Sequence, residues 1–172
     1  DFGAFESIRT MKTLIERELN KKSLTGNVKL GRGGIREIEF IVQSHQLIYG
    51  GRNPALRTSS LYDALAALED NGVLTDHDCA MMRRHYDFLR VLEHRLQIMD
   101  DAQTHTVPVE PLARTRIALT MGYPGINAFD TAVESVNDAV HRLFLTVFHQ
   151  DRGPAASENN PLFADIWEDT LA

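Results

Sequence analysis

The residues best suited to chemistry in this chain sit in one run, Lys29-Leu30-Gly31-Arg32-Gly33-Gly34-Ile35-Arg36-Glu37. Three glycines within four residues let a backbone come close to a ligand, because no Cβ stands in the way. A helical pattern begins directly after them. A helix start offers free N–H groups and the positive end of the helix dipole, and both favour an anion. Lys29, Arg32 and Arg36 add three cations around the turn. The chemistry composed by these parts is contact with a phosphate or a nucleotide. The plain alternative is a tight turn that needs positive φ, edged by solvated charges. The run is not a Walker A loop, since no Gly-Lys-Ser/Thr follows. It is not a dinucleotide fingerprint either, because Arg36 takes the place of the last glycine or alanine and no βαβ unit surrounds it.

Other groups carry less. Asp76-His77-Asp78 is a DxD triplet of the kind that holds Mg²⁺ in nucleotidyl transfer. It opens a helix, however, and is better explained by capping and dipole matching. Arg90, Glu93, His94 and Gln97 form a polar strip at helical spacing, either one wall of a cleft or a solvated face with weak ion pairs. The seven histidines form no HExxH and no Cys/His quartet, so no metal site is expected. Cys79, the single cysteine, lies on or near an apolar stripe and reads as core rather than nucleophile. No complete catalytic constellation is present.

The elements that must position these groups are helical nearly throughout. Phe5, Ile8, Met11, Ile15 and Leu19 predict a first helix, and Asn27–Gly31 a short extended piece before the glycine turn. Ile35, Ile38, Ile41 or Val42, His45 and Ile48 predict a second helix, largely buried because Phe40 and Leu47 add a second apolar face. Its polar strip is Arg36, Glu39, Gln43 and Gln46. Ser59 or Ser60 caps a third helix through Leu61, Leu65 and Leu68, stopped at Asn71-Gly72. Thr75 and Asp78 resemble a capping box ahead of a long fourth helix, whose stripe runs Met82, His85 or Tyr86, Leu89, Leu92, Leu96 and Met99. Thr104–Pro108 reads as an extended connector and 110–121 as a short helix. Phe129, Val133, Val136, Val140, Leu143 and Val147 step at heptad spacing along a last long helix. Residues 151–160 are linker-like, and Leu162, Phe163, Ile166 and Trp167 suggest a small amphipathic helix. The expected fold is an all-α bundle of about five to six helices over 1–150, followed by a linker and short helix over 151–172.

Composition bounds the function. The chain has 172 residues, 43% hydrophobic and 24% charged, an ordinary globular balance. A net charge of −6 argues against a broad nucleic-acid footprint. That charge is uneven: residues 1–36 balance at +4 and the remainder at −10, and every lysine lies at or before Lys29. No apolar run approaches the ~20 residues of a membrane span, and no signal peptide is seen. A cytoplasmic setting is expected, and the start at Asp1-Phe2-Gly3, without Met, suggests a piece of something longer.

The stretch NVKLGRGGIREIEFIV at 27–42 resembles the signature of the glutamine synthetase adenylyltransferase/adenylyl-removing enzymes. The resemblance continues through QSHQLI at 43–48, FLRVLEHRLQ at 88–97 and DAQTHTVP at 101–108, in the family's order, and covers roughly residues 5–150. Enzymes of that family have two homologous halves, each a nucleotidyltransferase domain followed by a helical domain. The GRGGIREIEF form is similar to the first, AMP-removing half; the second reads more like GGITDIEF. A related turn, GGLRDI, occurs in the PII-uridylyltransferases. The resemblance implies the helical domain after the first catalytic domain. It implies phosphorolysis of the AMP–tyrosyl bond on glutamine synthetase, with Mg²⁺ held by carboxylates outside this chain, so no catalytic residue is expected within it. The implied partners are glutamine synthetase, the PII signal protein and the upstream nucleotidyltransferase domain. Lys29, Arg32, Gly33, Gly34 and Arg36 would then face phosphate or the AMP phosphate, and Glu39 would orient Arg36. Two alternatives stand beside this: the turn serves only to dock the domains, or the chain is a regulatory module binding glutamine synthetase or PII.

Overall fold

The computed structural model describes Thr13 and residues 24–100 and 104–149, the side chains of Asp100 and His149 excepted. The expected helices over 5–19 and 162–167 and the linker at 151–160 lie outside the described residues. Within them the chain forms five α-helices: α1 (Ile35–Tyr49), α2 (Leu61–Asp70), α3 (Asp76–Asp100), α4 (Pro111–Thr120) and α5 (Ile126–His149). A single 3₁₀ turn (Pro54–Leu56) lies between α1 and α2. The all-α bundle read from the periodicity is the observed architecture.

Helix α1 is the central element, packing on α2, α3 and α5. Ile35, Ile38, Phe40, Ile41 and Val42 are all buried, so the choice between Ile41 and Val42 resolves as both. Leu47, expected to thicken the buried face, is 51% exposed. It lies on the last turn of α1. Gln46, on the polar strip, donates through Nε2 to the carbonyls of Leu56 and Thr58, both at 2.8 Å, and so pins the following loop.

The boundaries are set by local chemistry. Ser60 accepts from the Asp63 amide to cap α2. Gly72, at φ +65°, ends α2, with the Val73 amide bonding back to Leu68. Thr75 accepts from the Asp78 amide at 3.1 Å and donates to the Asp78 carboxylate at 2.8 Å, so Asp78 is spent on the start of α3. Glu110 receives the amides of Leu112 and Ala113 ahead of Pro111, and these two bonds hold its carboxyl below the usual range.

The core runs continuously through all five helices. On α5 the heptad positions Phe129, Val136, Val140 and Val147 are buried, with Val133 and Leu143 half-buried. Phe144 and Phe148 also turn inward, and they meet Phe40 of α1 at ring-centre distances of 6.1 and 5.5 Å. On α3, Met99, expected in the stripe, is 38% exposed.

The expected extended piece before the glycine turn reduces to one residue. Asn27 forms an isolated antiparallel bridge with Thr106 of the connector, flanked by Val28 N–H to His105 O (2.7 Å) and Val107 N–H to Gly26 O (2.9 Å). Beyond Asn27 the chain turns, because the Asn27 side chain accepts from the amides of Lys29 and Leu30 at 3.0 and 2.7 Å. An Asx turn of this kind competes successfully with a strand.

Candidate functional site

The glycine turn is locked in place by contacts to its own chain. Gly33 has φ +69°, a left-handed conformation that a side chain would strain. A Cβ built on it would lie 2.0 Å from the Asn137 carbonyl oxygen of α5. A Cβ on Gly34 would meet the Val28 carbonyl at 2.6 Å, and one on Gly31 the Asn27 carbonyl at 2.3 Å. The close approach that the glycines permit is therefore made here by backbone.

The amides of the first turn are committed as well. Ile35 N–H donates to Val28 O and Arg36 N–H to Lys29 O, both at 3.0 Å, and Glu37 N–H donates to Gly34 O at 3.1 Å. The free N–H groups expected at the start of this helix are thus already bonded to carbonyls. What the helix start itself can still offer an anion is its dipole and its cations.

Those cations do not converge on one point. Arg32 reaches Asp138 of α5, Nη1 to Oδ1 at 2.6 Å, with both side chains half exposed. This pair edges an open cleft of about 340 Å³ between the 24–32 segment and α5, also lined by Glu134 and Asn137. Lys29 turns instead to α3, its Nζ 3.8 Å from Glu93 Oε1. Arg36 stays on its own helix, with Nη1 3.6 Å from Glu39 Oε2. The expected Arg36–Glu39 pairing is present, while Lys29 and Arg32 serve different flanks.

Glu93 is the residue whose importance the sequence understated. It is 2% exposed, yet it binds Arg90 Nη1 at 2.5 Å through Oε2 and lies 2.9 Å from His105 Nδ1 through Oε1. The His105 nitrogen is close but out of line, so it makes no hydrogen bond there. The strip Arg90, Glu93, His94, Gln97 gave a signal for Glu93. Nothing in the spacing pointed to Lys29 or His105 as its neighbours, since they come from distant segments. Tyr86, one turn before Arg90, feels Glu39 as well as Arg90 and Glu93; burial is the main reason its hydroxyl is pushed up. The polar strips of α1 and α3 thus share one neighbourhood.

A second buried carboxylate, Glu37, lies 3.1 Å from His141 Nδ1 and ties α1 to α5. Cys79 is buried and its thiol is pushed up to about 11, mainly by burial, which leaves little thiolate for nucleophilic chemistry. Among the described residues no group of three or more His, Cys, Asp or Glu side chains is arranged to hold a metal. The nearest carboxylates, Glu93, Glu37 and Asp138, are each faced by cations or histidine and do not fit Mg²⁺. No helix of the described residues is long and apolar enough to cross a membrane.

The chain is 41% identical to the bifunctional glutamine synthetase adenylyltransferase/adenylyl-removing enzyme of Hahella chejuensis (strain KCTC 2396), over 173 aligned residues. The match covers 100% of this chain and 18% of that enzyme, so the chain spans under a fifth of the relative's length. The family model described as GlnD PII-uridylyltransferase matches residues 9–148, which takes in the glycine turn, α1 to α4 and nearly all of α5. On that match the chain belongs to the GlnD PII-uridylyltransferase family.

Proposed function

We propose that this chain is the helical domain of an enzyme that adenylylates and deadenylylates glutamine synthetase, acting in the cytoplasm and drawn from the AMP-removing half. In this reading residues 1–150 form the domain, and 151–172 lead away from it. The domain lends phosphate-facing side chains to a nucleotidyltransferase domain outside this chain, where Mg²⁺ would be held and would stabilise charge on the transferred group. This chain's own share is to bind and orient: Lys29, Arg32 and Arg36 present charge, Glu39 steadies Arg36, and Gly33 and Gly34 fix the turn on the bundle. Glutamine synthetase and the PII signal protein are the partners.

One observation carries the reading beyond relatedness. Lys29, Arg32 and Arg36 remain 38%, 49% and 42% exposed although each has a carboxylate neighbour, and they flank a turn packed so closely on backbone that Gly31, Gly33 and Gly34 leave no room for a Cβ. Cations on a rigid base that still face outward suit an anion brought by another domain.

The test is Arg36→Ala in the full-length enzyme, with deadenylylation followed against phosphate concentration, with and without PII. A phosphate requirement raised about tenfold and independent of PII is expected, the loss of one charge-assisted hydrogen bond. Normal phosphate dependence with a lost PII response would favour the second reading, a regulatory docking module. That reading draws support from the apolar residues Val109, Leu112 and Leu119 at and along α4, which are 89%, 60% and 57% exposed.

A further inference from the structure

We infer that Lys29, Arg90 and His105, gathered around the buried carboxylate of Glu93, form a receptor for a phosphate-class anion. The inference deepens the phosphate-facing reading and rests on it. It moves the centre of the site from the glycine turn itself to the groove where the turn meets α3 and the 104–107 connector.

A carboxylate that is 2% exposed is costly unless cations compensate it, so Glu93 requires neighbours such as Arg90 and Lys29. The compensation overshoots, however. Counted by themselves, these four side chains set one negative charge against two permanent positive charges and a histidine; of the carboxylates nearby, Glu39 is paired with Arg36 and Asp87 takes the Tyr62 hydroxyl. The exposures show where that excess points. Glu93 lies at the bottom, while the Lys29 and Arg90 side chains are 38% and 37% exposed and His105 is 25% exposed. The carboxylate is sealed in and its cations open outward.

The unused hydrogen-bond donors point the same way. A guanidinium has five N–H donors and an ammonium three. Arg90 makes its Glu93 contact through Nη1, and Lys29 at 3.8 Å is beyond hydrogen-bond length from Glu93. His105 Nδ1 has no hydrogen-bond partner despite its nearness to Glu93. A small tetrahedral anion with several acceptor oxygens can use the spare donors of Lys29 and Arg90 together, whereas a neutral ligand leaves the excess charge uncompensated. Glu93 is then a positioning residue. It holds Arg90 one helical turn away and draws Lys29 across from the turn, so that both are in place before the anion arrives.

The test is a titration of the full 172-residue chain with inorganic phosphate and, separately, with AMP, followed by NMR at His105 and at the Arg90 side chain under constant ionic strength. Saturable shifts at both residues are expected. Lys29→Gln and Arg90→Gln should each raise the Kd at least ~10-fold, while Arg52→Gln, at an exposed position just after α1, should leave it unchanged. Lys29→Gln keeps the test sound should Arg90→Gln unfold the chain, since Arg90 then still compensates Glu93. Tighter binding of phosphate than of AMP identifies free phosphate as the ligand; the reverse identifies a nucleotide phosphate. Shifts that do not saturate, or that chloride reproduces, overturn the inference. Binding that responds to Arg32→Gln or Arg36→Gln but not to Lys29→Gln or Arg90→Gln also overturns it and leaves the turn itself as the phosphate contact. A failed titration combined with a raised phosphate requirement for Arg36→Ala in the full-length enzyme separates failure here from failure of the broader reading.

Discussion

Gly33 is where the turn and the bundle become one object. Its φ of +69°, and the mere 2.0 Å that would separate a Cβ at this position from the Asn137 carbonyl oxygen, make two demands that only glycine meets. Gly33→Ala should therefore combine a left-handed backbone penalty of ~1–2 kcal/mol with an overpacking cost of ~1–3 kcal/mol. A loss of about 3 kcal/mol in urea unfolding is expected from that combination. Gly51→Ala is the control, since nothing lies within 4 Å of its Cβ direction, and it should stay within about 0.5 kcal/mol of the parent. Equal effects at the two positions would show that the turn is not wedged against α5. The three glycines and three cations were legible in the sequence as a charged glycine turn at a helix start. What filled the space beside Gly33 was not, because Asn137 is brought there only by the packing of α5 on α1. The same holds for the amides of Ile35 and Arg36: their acceptors, Val28 and Lys29, lie in a loop whose path depends on the Asn27 side chain.

Among the elements, α4 depends least on its apolar stripe, with only Ile117 and Ala118 buried. It is held to α5 by Arg114, whose Nε and Nη2 reach Asp130 at 2.8–3.2 Å while Nη1 donates to Pro108 O at 2.9 Å. Both side chains of this pair are under a third exposed, 28% and 31%. Arg114→Met, which keeps the aliphatic stem, should cost about 1–3 kcal/mol, and Asp130→Asn less, because the Pro108 contact survives. A double-mutant cycle should return a coupling of at least ~0.5 kcal/mol. The half-exposed Arg32–Asp138 pair should give no more than about 0.5 kcal/mol in the same assay. A coupling near zero at Arg114–Asp130 would reassign α4 docking to its caps. The helices themselves were readable from the 3.6-residue period and from Ser60, Thr75 and Gly72 at their ends. The breadth of a buried face was harder to read. A heptad picks one seam on α5, whereas that helix packs on α1, α3 and α4 at once and needs Phe144 and Phe148 as well.

At the scale of the whole molecule, the core contains polar groups that a simple apolar pattern does not announce: Glu37, Ser44, His45 and Glu93. Apart from Arg90, one helical turn from Glu93, their partners lie far along the chain or in the backbone, so near pairs such as Arg36–Glu39 were legible in the sequence and the distant ones were not. His45 has a consequence for the stability of the entire bundle. Its Nδ1 donates to Ile41 O at 2.7 Å, which leaves Nε2 as a buried acceptor with no partner. Burial holds this imidazole below its ordinary value of 6.5, the backbone bond opposing only in part. His85 is shifted the same way, by burial and then by Arg84. In both cases the unfolded chain takes up a proton more readily than the folded one as pH falls below 6.5. Stability is therefore fully present above that pH and is lost on acidification, by up to ~1.4 kcal/mol per pH unit for each group. The urea midpoint should fall between about pH 7.5 and pH 5.5, above the usual range in which exposed carboxylates take up protons. His45→Leu should flatten that fall by removing one of the two groups, and His77→Gln, at an exposed position on the first turn of α3, should leave it as it was. An unchanged fall in His45→Leu would mean that the bundle admits the charged imidazole without cost, and that the buried ring nitrogen finds a partner once protonated.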